Sequence, residues 1–162
     1  MKLSTKGRYA VTALADIALH GGVPGGQDDL LVSLSEIAER QSISLSYLEQ
    51  LFVRLRRAGL VDSVRGPGGG YRLARPAKAI SIADVMTAVD ERLNAMGCDG
   101  RIGEGCGGSK ALCLTHNLWE QLSAHVHVFL TRTTLADVVA DQMTPCPAVP
   151  DFSALLEEDE TA

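Results

Sequence analysis

Ser44-Leu-Ser-Tyr-Leu-Glu-Gln-Leu-Phe-Val-Arg-Leu-Arg-Arg-Ala-Gly59 decides how the rest of the chain is read. At about 100° per residue, Leu45, Leu48, Leu51, Phe52 and Leu55 fall on one stripe, and Ser46, Glu49, Gln50, Val53, Arg54 and Arg57 on the opposite one. This spacing predicts a helix with one buried face, capped by Ser44 and stopped at Gly59. Just upstream, Ser33-Leu-Ser-Glu36 has the form of a capping box, in which the Ser33 hydroxyl and the Glu36 carboxylate satisfy each other's orphan amides. The helix it opens ends near Gln41, so Gln41-Ser-Ile43 joins two short helices into a helix-turn-helix. Downstream, residues 60–65 and 70–74 are strand-like and bracket Gly66-Pro-Gly-Gly69, a tight hairpin placed as a wing.

Working outward, Tyr9, Val11, Ala13, Leu14, Ile17, Ala18 and Leu19 predict a helix over residues 5–20, interrupted by Thr12 and Asp16. Four glycines and a proline make residues 21–31 a loop. A helix follows over 80–89 with Ser81 as its cap, and residues 114–131 form the longest helical candidate. Leu118, Trp119, Leu122, Val126, Phe129 and Leu130 cover one broad face of it, wide for the end of a small domain and suited to a two-fold dimer seam. A short helix over 134–143 precedes a tail with Pro145, Pro147, Pro150 and an acidic run at 157–160. The expected fold is mainly α with a small β-hairpin: a winged helix-turn-helix domain over 1–80, a cysteine-rich loop and dimerisation helix over 81–143, and an irregular tail over 144–162.

A chain of 162 residues supports one core with an extension. Its net charge of −5 is unevenly spread. Residues 1–75 carry ten Lys and Arg against seven Asp and Glu, and residues 76–162 carry five against thirteen. A basic front half and an acidic back half suit a chain that meets a polyanion with one end. The amino terminus lacks the small-residue cleavage site of a secretory signal, and there is no apolar stretch of membrane-spanning length. A cytoplasmic protein is expected, without membrane association, and there thiols stay reduced.

The front of a recognition helix reaches base edges, which asks for small and hydrogen-bonding side chains. Ser44, Ser46, Tyr47, Glu49 and Gln50 supply them, Gln50 for adenine and Glu49 for cytosine. Arg54, Arg56 and Arg57 would neutralise phosphates further along, and Arg65 at the hairpin tip suits a narrow minor groove. The bland counterpart is an amphipathic helix with a solvated face, which the adjoining wing makes the weaker reading. A phosphate-loop reading of the glycine run fails, because no Gly-Lys-Ser/Thr ending and no helix follow it. No Ser/His/Asp or paired-carboxylate grouping is present, so an enzyme is not expected.

Three cysteines, one histidine and six glycines fall within residues 97–116. Cys98, Cys106, Cys113 and His116 are separated by seven, six and two residues. Three thiols and an imidazole match structural zinc or an iron-sulfur cluster, and free thiols are the plain alternative; spacing alone leaves the three open. Cys146 reads as an exposed thiol in the tail, His125 and His127 as surface residues, and His20 as a helix-end residue.

Taken together, residues 44–52 and 59–71, Cys113-Leu-Thr-His116 and Thr5-Lys-Gly-Arg-Tyr-Ala10 closely resemble the IscR family of iron-sulfur cluster assembly regulators, over roughly residues 1–143. The resemblance implies a homodimeric winged helix-turn-helix regulator that holds a 2Fe-2S cluster through Cys98, Cys106, Cys113 and His116. It also implies that Glu49 helps choose between two classes of DNA site according to cluster occupancy, with Ser46, Gln50 and Arg65 among the contacts to double-stranded DNA. A cluster-assembly scaffold is the candidate cluster donor. The intervals between the first three cysteines and the loop over 21–31 look longer than the family's usual ones. Relatives that sense nitric oxide or iron share the fold and three cysteines, and His116 within Leu-Thr-His argues for the assembly regulator. A small iron-sulfur redox protein is the alternative from another class; it has no use for a polar recognition face beside a basic wing.

Overall fold

The computed structural model describes residues 4–21, 30–91 and 114–142. Helix α1 (Thr5–His20) is followed by α2 (Leu34–Gln41), α3 (Leu45–Arg57), the strands β1 (Val61–Val64) and β2 (Gly70–Leu73), a 3₁₀ turn (Ala77–Ala79), α4 (Ile82–Ala88), α5 (His116–Arg132) and α6 (Leu135–Val139). Each helix of the winged unit turns its apolar stripe inward. Leu14 and Ile17 of α1, Ile37 of α2 and Leu48, Phe52 and Leu55 of α3 meet in one core, at most 1% exposed. Ile80, Val85 and Val89 from around α4, and Leu135 at the start of α6, are equally buried in that core.

Three of the helix starts follow from side-chain chemistry. The capping box at Ser33 is present, with the Ser33 amide donating to Glu36 Oε2 at 2.8 Å and the Glu36 amide to Ser33 Oγ at 3.3 Å. Donation from the Ser33 amide, and from its hydroxyl at 2.7 Å, holds the Glu36 carboxyl below its ordinary value. The same device opens α4 through Ser81 and Asp84 and α6 through Thr134 and Asp137. Between α2 and α3, Ser42 takes left-handed backbone (φ 53°), and Ile43 tucks into the core at 5% exposure.

β1 and β2 pair antiparallel with Val61 opposite Leu73 and Val64 opposite Gly70. Gly66 and Gly68 turn the chain at φ 109° and 73°, which L side chains rarely adopt. The hairpin is pinned to the body by Val32, whose amide and carbonyl both bond to Tyr71, at 2.9 and 2.8 Å. A Cβ at Gly70 would lie 2.8 Å from the Val32 carbonyl oxygen, so that close approach needs glycine. Tyr71 packs edge-on against Phe52, ring centroids 4.8 Å apart, which fixes the wing to α3.

Four local expectations change. Ser44 occupies the N-cap position of α3 but makes no capping bond; its hydroxyl lies 3.0 Å from the Ser46 hydroxyl instead. Leu45 is 40% exposed beside the wing, since the first turn of α3 projects beyond the core. The long helix begins at His116 rather than Leu114, and α6 is five residues long.

Asp16 is the buried charge among the described residues. Its side chain is fully buried, accepting from Arg40 at 2.6 and 3.1 Å and from Gln41 at 2.7 Å. Burial pushes the Asp16 carboxyl up. The hydrogen bonds from Arg40 and Gln41 and the charges of Arg40 and His20 outweigh that, holding it below the ordinary carboxylate value. The pair ties the middle of α1 to the end of α2 and so sets where the helix-turn-helix sits.

Candidate nucleic-acid interface and cysteine-histidine segment

Burial along α3 separates its two faces. Leu48, Leu51, Phe52 and Leu55 are buried, whereas Ser46, Glu49, Gln50, Val53 and Arg57 are exposed, as is Ser44 ahead of the helix. The wing continues this surface and carries Arg65, also exposed, just past β1. Between α3, the start of α2 and the wing lies an open cleft of about 440 Å³, lined by Ser33, Ser35, Glu49, Arg56, Ser63 and Arg65 among others. Arg56 reaches Ser63 Oγ at 3.4 Å. Guanidinium groups and hydroxyls thus border the surface, with the Glu49 carboxylate among them.

Two of the named residues are engaged within the fold. Tyr47 is half-buried and packs edge-on against Tyr9 of α1, centroids 5.8 Å apart, so it braces α3 rather than projecting from it. Arg54 stands on the flank of α3 and pairs with Asp90, just beyond α4. Neither partner is legible in the sequence, because 38 and 36 positions separate the pairs.

Of the four candidate metal ligands, His116 is described. It is the first residue of α5 and is half-buried. Cys98, Cys106 and Cys113 lie outside the described residues, as does Cys146. Among the described residues no group of three His, Cys, Asp or Glu side chains could hold a metal ion. His125 and His127 are exposed on α5, as the sequence suggests.

Leu118, Trp119, Leu122, Val128 and Phe129 of α5 are 39–60% exposed, and Val126 and Leu130 are half-buried. The helix is joined to the winged unit at its carboxyl end. The Ile82 amide donates to the Thr133 carbonyl at 2.9 Å and the Leu135 amide to the Ile80 carbonyl at 2.8 Å. No helix among the described residues is long and apolar enough to cross a membrane.

A polar helix face bordered by a basic hairpin suits the grooves of duplex DNA, and it places the chain among winged helix-turn-helix transcriptional regulators. Within that class the chain belongs to the Rrf2 family, described as "Iron-dependent Transcriptional regulator", which it matches over residues 3–141. It is 57% identical to the HTH-type transcriptional regulator IscR of Cereibacter sphaeroides, over 98% of this chain and 100% of that one. It is 55% identical to the regulator of the same name from Yersinia pseudotuberculosis, over 88% of this chain and 81% of that one. Among solved structures it is similar to T. potens IscR (TM-score 0.66, 35% identity, 95% and 96% of the two chains). It is likewise similar to CymR, described as the global cysteine regulator of B. subtilis (TM-score 0.69, 32% identity, 87% and 98% of the two chains).

Proposed function

We propose that this chain acts as a cytoplasmic homodimer that senses iron-sulfur supply and controls cluster-assembly genes, changing its choice of DNA site with the occupancy of a 2Fe-2S site. The exposed polar face of α3, flanked by the wing and its Arg65, carries the DNA-binding part of this reading. In it, residues 1–80 read DNA and residues 81–143 sense and pair.

The donor set fits the cofactor. Thiolates suit iron-sulfur clusters, and one imidazole among them leaves the cluster less negative and changes its potential. Cys98, Cys106, Cys113 and His116 would hold it, loaded from a cluster-assembly scaffold. When bound, the group supplies a supply- and redox-sensitive anchor for those four side chains. In the sequence the three cysteines fall between α4 and α5 and His116 opens α5, and both helices are tied to the winged unit, α4 through the shared core and α5 through Thr133. A rearrangement between them therefore has two mechanical routes to α3. In DNA, Gln50 and Ser46 face base edges, Glu49 discriminates between sites, and Arg56, Arg57 and Arg65 meet the backbone or minor groove. The exposed apolar side of α5 serves as the seam between two copies, so that two α3 helices read two-fold related half-sites.

The test is a visible absorption spectrum of protein purified without oxygen, followed by binding to promoter DNA. An iron-sulfur chromophore lost on Cys106→Ser, together with altered site preference, is expected. A colourless protein with stoichiometric zinc and unchanged site preference would end the cluster reading.

A further inference from the structure

Arg54 and Asp90 face each other across the flank of α3. The Arg54 Nη1 donates to the Asp90 carboxylate, and the two side chains are 45% and 79% exposed. Asp90 is held in place by its backbone: it follows α4 in left-handed conformation (φ 54°), and its carbonyl accepts from Lys6 Nζ at 2.9 Å. The next residue, Glu91, accepts from the Ser4 amide at 2.9 Å and from the Ser4 hydroxyl. Arg54 and Asp90 line an open cleft of about 670 Å³ together with Arg57, Arg75, Asp84 and Thr87, among others. Within it Arg75 lies 3.6 Å from Asp84. Arginines thus gather at the carboxyl end of α3, two of them facing carboxylates of the same protein.

An exposed ion pair is weak, because both groups remain well solvated and salt screens them. A DNA phosphate is a stronger competitor for guanidinium: its oxygens match the fork, and the contact releases condensed counterions. Arg57, about one helical turn further along the exposed face of α3, marks the direction from which a phosphate would approach.

We propose that Asp90 is a positioning residue for the DNA-binding face, an internal competitor that holds Arg54 in the free protein and yields it to a backbone phosphate on binding. This rests on the DNA-binding reading above. Its thermodynamic corollary is reciprocal: whatever holds Asp90 against Arg54 weakens DNA binding, and DNA binding frees Asp90 by the same factor.

The experiment measures affinity as a function of salt by fluorescence anisotropy, on a labelled duplex selected by the full-length wild-type protein from a randomised two-fold library. Wild type, Asp90→Asn, Arg54→Ala and the double variant are compared. Asparagine keeps the shape of the side chain and tolerates left-handed backbone, so the fold at this position is retained. Asp90→Asn is expected to bind about two- to five-fold tighter. Arg54→Ala should bind more weakly, with a salt slope smaller by about one. The gain from Asp90→Asn should vanish in the Arg54→Ala background. Unchanged affinity of Asp90→Asn, while wild type binds its duplex, overturns this inference alone. An equal gain in the Arg54→Ala background also overturns it, because loss of any nearby negative charge would then suffice. Failure of wild type to select a duplex overturns both this inference and the DNA-binding reading.

Discussion

Phe52 and Phe129 are the same side chain in opposite circumstances. Phe52, on α3, is 1% exposed in a core shared by helices from both ends of the described chain; Phe129, on α5, is 43% exposed along with four other large apolar side chains of its helix. In the first region apolar surface has been spent on making one rigid body that fixes α3 relative to the wing. In the second it remains exposed, with Leu118, Leu122 and Phe129 on one side of the helix, and exposed apolar surface gathered in that way favours an interaction site. Packing thus belongs to the part that presents α3, and exposed apolar surface to α5.

The sharpest way to break this contrast is to truncate both rings. Phe52→Ala should destabilise the protein by about 3–5 kcal/mol, read from urea unfolding, since a buried ring leaves a cavity. Phe129→Ala, in dilute solution, should have a far smaller effect; equal losses would mean that α5 is as integral to the core as α3.

A somewhat smaller effect is expected from the one charge inside the rigid region. Asp16→Asn leaves Arg40 facing a neutral group and should remove about 3 kcal/mol. Because the Asp16 carboxyl is held below its ordinary value when folded, its contribution is present in full above about pH 4 and is lost as pH falls through the depressed folded value. Wild type and Asp16→Asn should therefore converge in stability in acid. Parallel curves down to low pH would remove Asp16 from this role.

The smallest effect on folding, with the largest on assembly, is expected on α5. Replacing Leu122 and Val126 by Glu should leave the far-ultraviolet helical signal in place while sedimentation gives the mass of one chain, against two for wild type. A retained dimer would move the seam elsewhere, and a collapsed helical signal would place α5 in the core.

Periodic features were legible in the sequence, because they repeat within a few residues. The stripes of α1 and α3, the capping box at Ser33, the cap at Ser81, and the glycine turn of the wing all carry their own local physics. What escaped were meetings between residues far apart in the chain. Asp16 looked like an interruption of an apolar helix until Arg40 and Gln41 came to it from α2. Helical angle puts Arg54 on the exposed face, and residue type puts Tyr47 among the groups at the front of the helix, yet each has a partner on another element, Asp90 and Tyr9. Ser44 has the residue type of a cap, but its hydroxyl turned to Ser46. Of the candidate cofactor site, the sequence offers a donor set of three thiols and an imidazole, of which the three thiols lie outside the described residues.

The attachment of α5 at Thr133 gives it the mechanics of a lever. Seventeen residues at 1.5 Å each make an arm about 25 Å long, pivoted where its carboxyl end bonds to the residues flanking Ser81. A tilt of about 5° at that pivot carries His116, at the far tip, through about 2 Å. Under the proposed sensing reading, a small displacement at that tip would reach the fulcrum as a reduced motion with multiplied force, at the foot of α4.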